Sequence, residues 1–343
     1  METPRPQTSH LLQPRPYPVS LSIVVPMYNE SAVISAFRDA VNSCLHEIHC
    51  AVEIVAVNDG SSDKTLERLV EWSASDARVR VVHLSRNFGH QIAATAGLDH
   101  AAGEVIVLID ADLQDPLTVI HQMIDKYCAG YEVVYGRRRS RAGETVWKRL
   151  TAWVFYRMMR TLVYRDMPMD TGDFRLISRE CLDALNTMRE THRFLRGMVA
   201  WLGYPQIAVE YDRNPRAAGQ TKYTLIKMLA FAWTAATSFS AAPLRFSILS
   251  AAILGLFGVE EGVRAVAAAV FRWYTVPGWT SLMVAMSLIG SATLLSIGIV
   301  GEYLARLYEQ SKDRPLYLVA RRFHLGMAES RDAHQSSSAT APR

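Results

Sequence analysis

EVIVLIDADLQDP, residues 104–116, is the stretch from which the fold of this chain is read. Its VIVLI core is short, almost unbroken and aliphatic, the pattern of a strand buried on both faces, and it ends abruptly in carboxylates. The same pattern recurs on either side in SLSIVVP (20–26), AVEIVAV (51–57), VRVVHL (79–84) and EVVYG (132–136). Amphipathic stretches beginning near Ser31, Asp63, His90 and Pro116 separate these runs. Strands alternating with helices of roughly 10–15 residues predict an α/β unit, doubly wound around a mainly parallel sheet. Ligands of such sheets collect outside the carboxyl ends of the strands. Those ends carry YNE (28–30), NDGSSD (58–63), SRNFG (85–89), DADLQD (110–115) and GRRRSR (136–141). One such cluster reads as a helix cap, and Asp63 or Ser61 fits that role; five at one edge make a site.

The 343 residues are 50% hydrophobic, 20% charged and 9% aromatic, with a net charge of +4. A disordered chain and a small disulfide scaffold are both excluded by that balance. At roughly 150 residues per domain the length suggests two units. A mean hydropathy of +0.05 is high for a water-soluble enzyme and low for a transporter, so part of the chain belongs in water and part in a membrane. The positive charge is spread out and leaves no nucleic-acid footprint. Cys44, Cys50, Cys128 and Cys181 match neither a CxxC pair nor a zinc knuckle and read as reduced thiols. The first 18 residues carry five prolines and no apolar signal core, so a disordered, cytoplasmic N-terminus over 1–20 is expected.

After residue 145 the pattern turns helical. Residues 222–242 carry few charges between Lys222, Lys227 and Arg245, which suits a helix lying in the membrane interface; a buried core helix has the same composition. Residues 279–300 are 22 in a row without a charge, enough to cross a hydrocarbon core of about 30 Å. The run 246–259 is shorter and meets Glu260, Glu261 and Arg264, charges that each cost about 2.5–3.5 kcal/mol at the bilayer centre and so belong at an interface or against protein. Basic residues flank the pair on both sides, with Lys227 and Arg245 before and Arg306, Lys312, Arg314, Arg321 and Arg322 after. Both flanks are therefore expected in the cytoplasm, with two crossings between them. The organisation expected is a sheet domain over 21–211, interfacial helices over 212–243, a two-span anchor over 244–305 and a cytoplasmic tail over 306–343.

Asp110 and Asp112, projecting from the tip of a buried strand, offer hard oxygens to Mg or Mn, ions that leave positions open for water and phosphate. Such an ion neutralises a departing diphosphate.

VPMYNE (25–30), NDGSSD (58–63), RNFGHQIA (86–93), DADLQDP (110–116), GDFRLISR (172–179) and RAAGQTKY (216–223) follow one another in the order of glycosyltransferase family 2. More narrowly, the chain resembles the membrane-anchored polyprenyl-phosphate glycosyltransferases, the group of bactoprenol glucosyl transferase and dolichol-phosphate mannose synthase, over residues 21–317. The resemblance implies a GT-A fold that moves a sugar from a nucleotide-sugar to a polyprenyl phosphate at a bacterial inner membrane. Pro26, Tyr28, Glu30 and Asp59 would hold base and ribose; Asp110, Ala111 and Asp112 the diphosphate and its divalent cation, with Gln114 beside the metal. Arg138, Arg149, Arg216 and Lys222 match the basic positions that would meet the acceptor phosphate.

Asp173, in GDFRL, is the family's candidate base. A phosphate monoester with a second pKa near about 6 is already anionic at neutral pH, so orientation or charge placement stands equally open for Asp173. Attack from the face opposite the leaving group inverts the anomeric centre. The QxxRW stretch of processive family members is missing, and two spans make no polymer channel, so one sugar per lipid is expected. UDP-glucose with undecaprenyl phosphate is the first expectation; UDP-linked amino sugars, deoxy-aminoarabinose and GDP-mannose stay open, as does a homo-oligomer. A transferase acting on a glycerolipid or ceramide, or a non-catalytic lipid-binding or transport partner, would be the other classes.

Overall fold

The computed structural model describes residues 12–139, 171–212, 242–271, 278–325 and 327–328. It divides into two compact units, one containing the sheet and the other containing two long helices.

The sheet unit is built on β1 (Ser20–Met27), whose Leu21, Ile23, Val24 and Val25 are wholly buried. β2 (Ala51–Asn58) and β4 (Val105–Leu108) flank it in parallel, and β3 (Val79–Leu84) lies parallel beyond β2. Helices cover this core because their apolar residues recur at helical spacing. α1 (Ile34–Leu45) buries Ile34, Phe37, Val41, Cys44 and Leu45, and α2 (Thr65–Ser75) buries Leu69 and Trp72, the Phe37 and Trp72 rings meeting edge to face at 6.3 Å. α3 (His90–His100) is different: its buried face is Ala93, Ala94, Ala96, Gly97 and Leu98. A Cβ on Gly97 would lie 2.3 Å from Val24 Cγ1, so small residues let this helix lie directly on β1 and bring its N-terminus to the strand tips. α4 (Val119–Cys128) completes the cover with Ile120, Met123 and Ile124.

The flanks of the sheet are mixed. β5 (Val133–Arg138) is separated from β4 by β6 (Thr171–Ser178), which runs antiparallel to both. β6 carries GDFRL, and burial of Phe174, Leu176 and Ile177 fixes its register so that Asp173 arrives near the tip of β4. α5 (Arg179–Thr187), α6 (Leu195–Trp201) and β7 (Gln206–Tyr211) follow, with β7 parallel to β5 at the sheet's edge.

Both expected tails depart from expectation. Arg15 pairs with Glu132 and stacks 4.6 Å above the Tyr127 ring, and Val19 N–H donates to Glu104 Oε2 at 2.8 Å, so residues 12–19 are fastened to the domain rather than disordered; residues 1–11 lie outside the described residues. At the other end, Val319–His324, expected in a cytoplasmic tail, forms β8, antiparallel to β3, and Met327–Ala328 adds the short β9. The physical reason is the outer edge of β3, whose backbone groups would otherwise lack partners. Phe323 adds a side-chain anchor against the core. The Ser- and Ala-rich stretch after Glu329 lies outside the described residues.

The second unit contains α7 (Ala242–Phe271) and α8 (Trp279–Ser311), packed against each other. α7 passes through Glu260 without a break, so it is far longer than the apolar run 246–259. Both helices expose large apolar side chains, including Leu256 (73%) and Leu294 (72%), together with Ile253, Val259, Leu295 and Ile297. Among the described residues one stretch, Leu288–Ser311, is long and apolar enough to cross a membrane; the span expected at 279–300 falls in the same helix but starts earlier, and a second span is not established by this measure. Residues 213–241, where interfacial helices were expected, lie outside the described residues. The four cysteines are free, as expected.

Candidate active site

The DADLQD loop begins where β4 leaves the core. Ile109 N–H still donates to Val24 O of β1 at 3.0 Å, and Asp110 is the first residue beyond the sheet. The next turn is tight: Gln114 N–H donates to Asp112 Oδ1 at 3.1 Å, and Leu113 sits at φ +57°, a left-handed conformation that costs a residue other than glycine about 1–3 kcal/mol. The loop is held from behind by the buried Asp115, which accepts a hydrogen bond from the Tyr211 hydroxyl and pairs with Arg138 at 3.8 Å. Pinned there, it leaves Asp110 and Asp112 partly exposed at the sheet's carboxyl edge.

Beside it stands Asp173, 4% exposed. Arg196 Nε donates to Oδ1 at 2.7 Å, and Oδ2 accepts from Arg196 at 3.2 Å, Gln91 Nε2 at 3.1 Å and His90 Nε2 at 3.2 Å. Burial alone would raise this carboxyl, but the His90 hydrogen bond and the Arg196 and Arg175 charges outweigh it and hold it far below the usual carboxylate range. His90 Nε2 also lies 3.4 Å from Asp110 Oδ1. Asp110 responds oppositely: burial, with Asp173, Asp115 and Asp112 around it and only His90 in opposition, pushes it up to about 6. Arg175 is fully buried beneath, donating to the carbonyls of Asp173 and Gly172.

At the ends of β1, β2 and β3 the loops interlock. Asp59, 2% exposed, accepts from Phe88 N–H at 2.7 Å and Gly89 N–H at 2.9 Å, so its carboxylate fastens the β3–α3 turn. Gly60, at φ +62°, brings the same loop so close that a Cβ would lie 2.3 Å from the Arg86 carbonyl carbon. Asn29 Oδ1 accepts from Ser62 N–H, and Glu30 N–H donates to Thr65 Oγ1. Tyr28 projects outward, 48% exposed, while Pro26 is buried in register with Val57.

Asp63 accepts from Thr65 at the start of α2 and from Ser31 N–H. Against the cost of partial burial, these bonds bring its carboxyl down to about 2 from an ordinary 3.8. Asp63→Ala is expected to cost about 1 kcal/mol at neutral pH, the usual worth of such a cap at an exposed site. Because the folded value is depressed, that contribution is complete above the ordinary value and disappears as pH falls through about 2. Urea titrations at pH 7 and pH 2 measure it; an equal deficit at both would exclude the ionised cap.

The structure thus gathers Asp110, Ala111, Asp112, Gln114, Arg138 and Asp173 at one edge, with Pro26, Tyr28, Glu30 and Asp59 along the same sheet end. Arg149, Arg216 and Lys222 lie outside the described residues. His90, Gln91, Asp115, Arg175, Arg196 and Tyr211 were not singled out from sequence. The first two do sit in the RNFGHQIA motif at a strand end, whereas nothing in the sequence around Arg196 marks it.

Hard oxygen donors suit a divalent cation. Asp110 and Asp112 supply two carboxylates, and Gln114, 8% exposed, has a buried Oε1 with no hydrogen-bond partner among the described residues, an acceptor left over for an ion or water. Among the described residues no three or more His, Cys, Asp or Glu side chains form a ready cage. That fits an ion such as Mg or Mn, which usually completes its coordination with water and phosphate oxygens.

Comparison with known proteins adds the following. The profile described as "Glycosyl transferase family 2" matches residues 22–185. "Uncharacterized glycosyltransferase YkcC" of Bacillus subtilis is 43% identical over 319 residues, covering 93% of this chain and 99% of that protein. "Prophage bactoprenol glucosyl transferase homolog" of Escherichia coli is 35% identical over 303 residues, 88% and 99% of the two chains, and "Bactoprenol glucosyl transferase" of Shigella phage SfV is 35% identical over 301, 88% and 98%. Among solved structures, glucosyl-3-phosphoglycerate synthase from Mycobacterium tuberculosis, in complex with Mn2+, UDP and phosphoglyceric acid, matches with a TM-score of 0.47 at 18% identity over 64% of this chain and 76% of that one. Mannosyltransferase PcManGT from Pyrobaculum calidifontis, in complex with GDP-Man and Mn2+, matches with 0.44 at 16% over 83% and 89%.

Proposed function

The chain belongs to glycosyltransferase family 2, and from that premise we propose that it transfers one sugar, with inversion, from a nucleotide-sugar to the phosphate of a membrane-held polyprenol. The observation that carries this reading is the pair of partly exposed carboxylates, Asp110 and Asp112, at the carboxyl end of the sheet, with the buried Oε1 of Gln114 in the same loop. An anionic donor and an anionic acceptor must approach each other there, and a divalent cation held by the two carboxylates would offset their repulsion. The relatives named bactoprenol glucosyl transferase, alike along almost their full length, favour a polyprenol-linked acceptor and a glucosyl group, with UDP-glucose the donor we propose.

In this reading Tyr28, Glu30 and the Asp59-braced loops receive the base and ribose. A divalent cation at Asp110, Asp112 and Gln114 supplies charge neutralisation to the departing diphosphate. Arg138, partly exposed and paired with Asp115 at 3.8 Å, is assigned to the acceptor phosphate. Asp173, kept ionised by four hydrogen bonds, takes no proton at neutral pH; it orients Arg196 and His90, and the acceptor attacks as the anion it already is.

The exposed apolar belts of α7 and α8 favour a membrane anchor. The sheet takes strands from both sides of this helical segment, β7 before α7 and β8 after α8. A sheet domain lying wholly in the cytoplasm then requires an even number of crossings, which supports two.

Purified protein incubated with radiolabelled UDP-glucose and undecaprenyl phosphate, with and without EDTA, tests the proposal. Metal-dependent label in the lipid is expected. Label from another nucleotide-sugar alone would correct the donor, and label only in a glycerolipid or ceramide would overturn the acceptor.

A further inference from the structure

His90 is the first residue of α3, held by the turn in which Ile92 and Ala93 N–H groups donate to Gly89 O. Its Nε2 lies between two carboxylates, 3.2 Å from Asp173 Oδ2 and 3.4 Å from Asp110 Oδ1. The two sides of this bridge are unequal. Asp173 is immobilised by Arg196 from α6 and Gln91 from α3, and Gln91 Oε1 in turn accepts from Leu195 N–H at 3.0 Å, joining the two helices. Asp110 has no such clamp: among the described residues the close cationic neighbour of its carboxylate is His90. Without a donor between them, two like charges this close would drive the mobile one, Asp110, away from Asp173.

We propose that His90 is a positioning residue for the divalent-cation site: its Nε2–H, backed by the Asp173–Arg196–Gln91 clamp, holds Asp110 in the orientation in which it binds the ion. The proposal rests on the metal reading of the DADLQD loop given above. Residues that orient a metal ligand without touching the metal typically contribute 10–100-fold to affinity.

The side-chain geometry provides its own control. A glutamine places its amide nitrogen near the position of a histidine Nε2, whereas an asparagine, one methylene shorter, places it near Nδ1 and cannot reach both carboxylates. Mn2+ binding to full-length protein with UDP, followed by electron paramagnetic resonance, is expected to weaken about tenfold or more in His90→Asn and to stay close to wild type in His90→Gln. Transfer activity of His90→Asn is expected to fall at low Mn2+ and recover as Mn2+ is raised, which a general loss of folding would not produce. His90→Asn that binds Mn2+ as wild type does would overturn the role of His90 and leave the metal reading intact. Wild-type protein that takes up no Mn2+ would overturn the metal reading and this proposal with it.

Discussion

Asp112→Ala is expected to lower kcat/KM by about a thousandfold, the scale on which enzymes lose electrostatic stabilisation of a developing charge when one element is removed. Asp112 has two parts in the loop: its Oδ1 accepts from Gln114 N–H, which shapes the turn, and its charge stands partly exposed near Asp110. Asp112→Asn separates them, because an amide oxygen keeps the turn while the charge is lost. The asparagine variant is therefore expected to be nearly as inactive as alanine, with unchanged unfolding in urea. An asparagine variant within tenfold of wild type would show that the carboxylate charge is dispensable, and the diphosphate–metal role of the loop would fall.

The second large effect is on stability. Asp173→Asn leaves the guanidinium groups of Arg196 and Arg175 and the His90 ring grouped without their shared anion, and breaking one partner of such a buried network typically costs about 3–5 kcal/mol. Because the folded pKa of Asp173 is depressed, its contribution is fully present above the ordinary carboxylate range and is lost only as pH falls below it. Against the cost of burial, Asp173 and Asp110 also hold the His90 ring above its ordinary value, so the deficit of the variant is expected to be larger at pH 5 than at pH 8 and to shrink below about pH 4. The same depression keeps Asp173 out of the pH–rate profile of the wild-type enzyme between pH 5 and 9. A variant within about 1 kcal/mol of wild type would contradict the clamp, since that is the range of exposed pairs.

The sheet core was legible because period and burial coincide there: strands such as 105–108 are continuous aliphatic runs, and polar residues collect at their tips. β6 was harder, because TGDFRLIS mixes glycine and charge with its apolar residues, and its place between β4 and β5 depends on a partner chosen in three dimensions. β8 shows the same limit: VARRFH has two adjacent arginines and reads as a basic flank, yet pairing with the free edge of β3 decides its conformation. At the site, Asp110 and Asp112 could be read from their place at a strand tip, whereas Asp173 and Arg138 were named by the family resemblance. His90 and Arg196 could not be read from sequence, since their roles exist only where α3 and α6 converge on Asp173.

The strand that covers β3 follows both long helices in the chain. Val82 waits for Arg322 across about 240 residues, a separation whose closure entropy grows only logarithmically but whose pairing is slow to find. Until β8 has been made and has paired, β3 is an open edge able to pair with another chain. A product released early, with both long helices made but β8 missing, would carry every residue named at the active site and still be prone to aggregate. Closure of the sheet on this side therefore waits for the strand that follows both long helices.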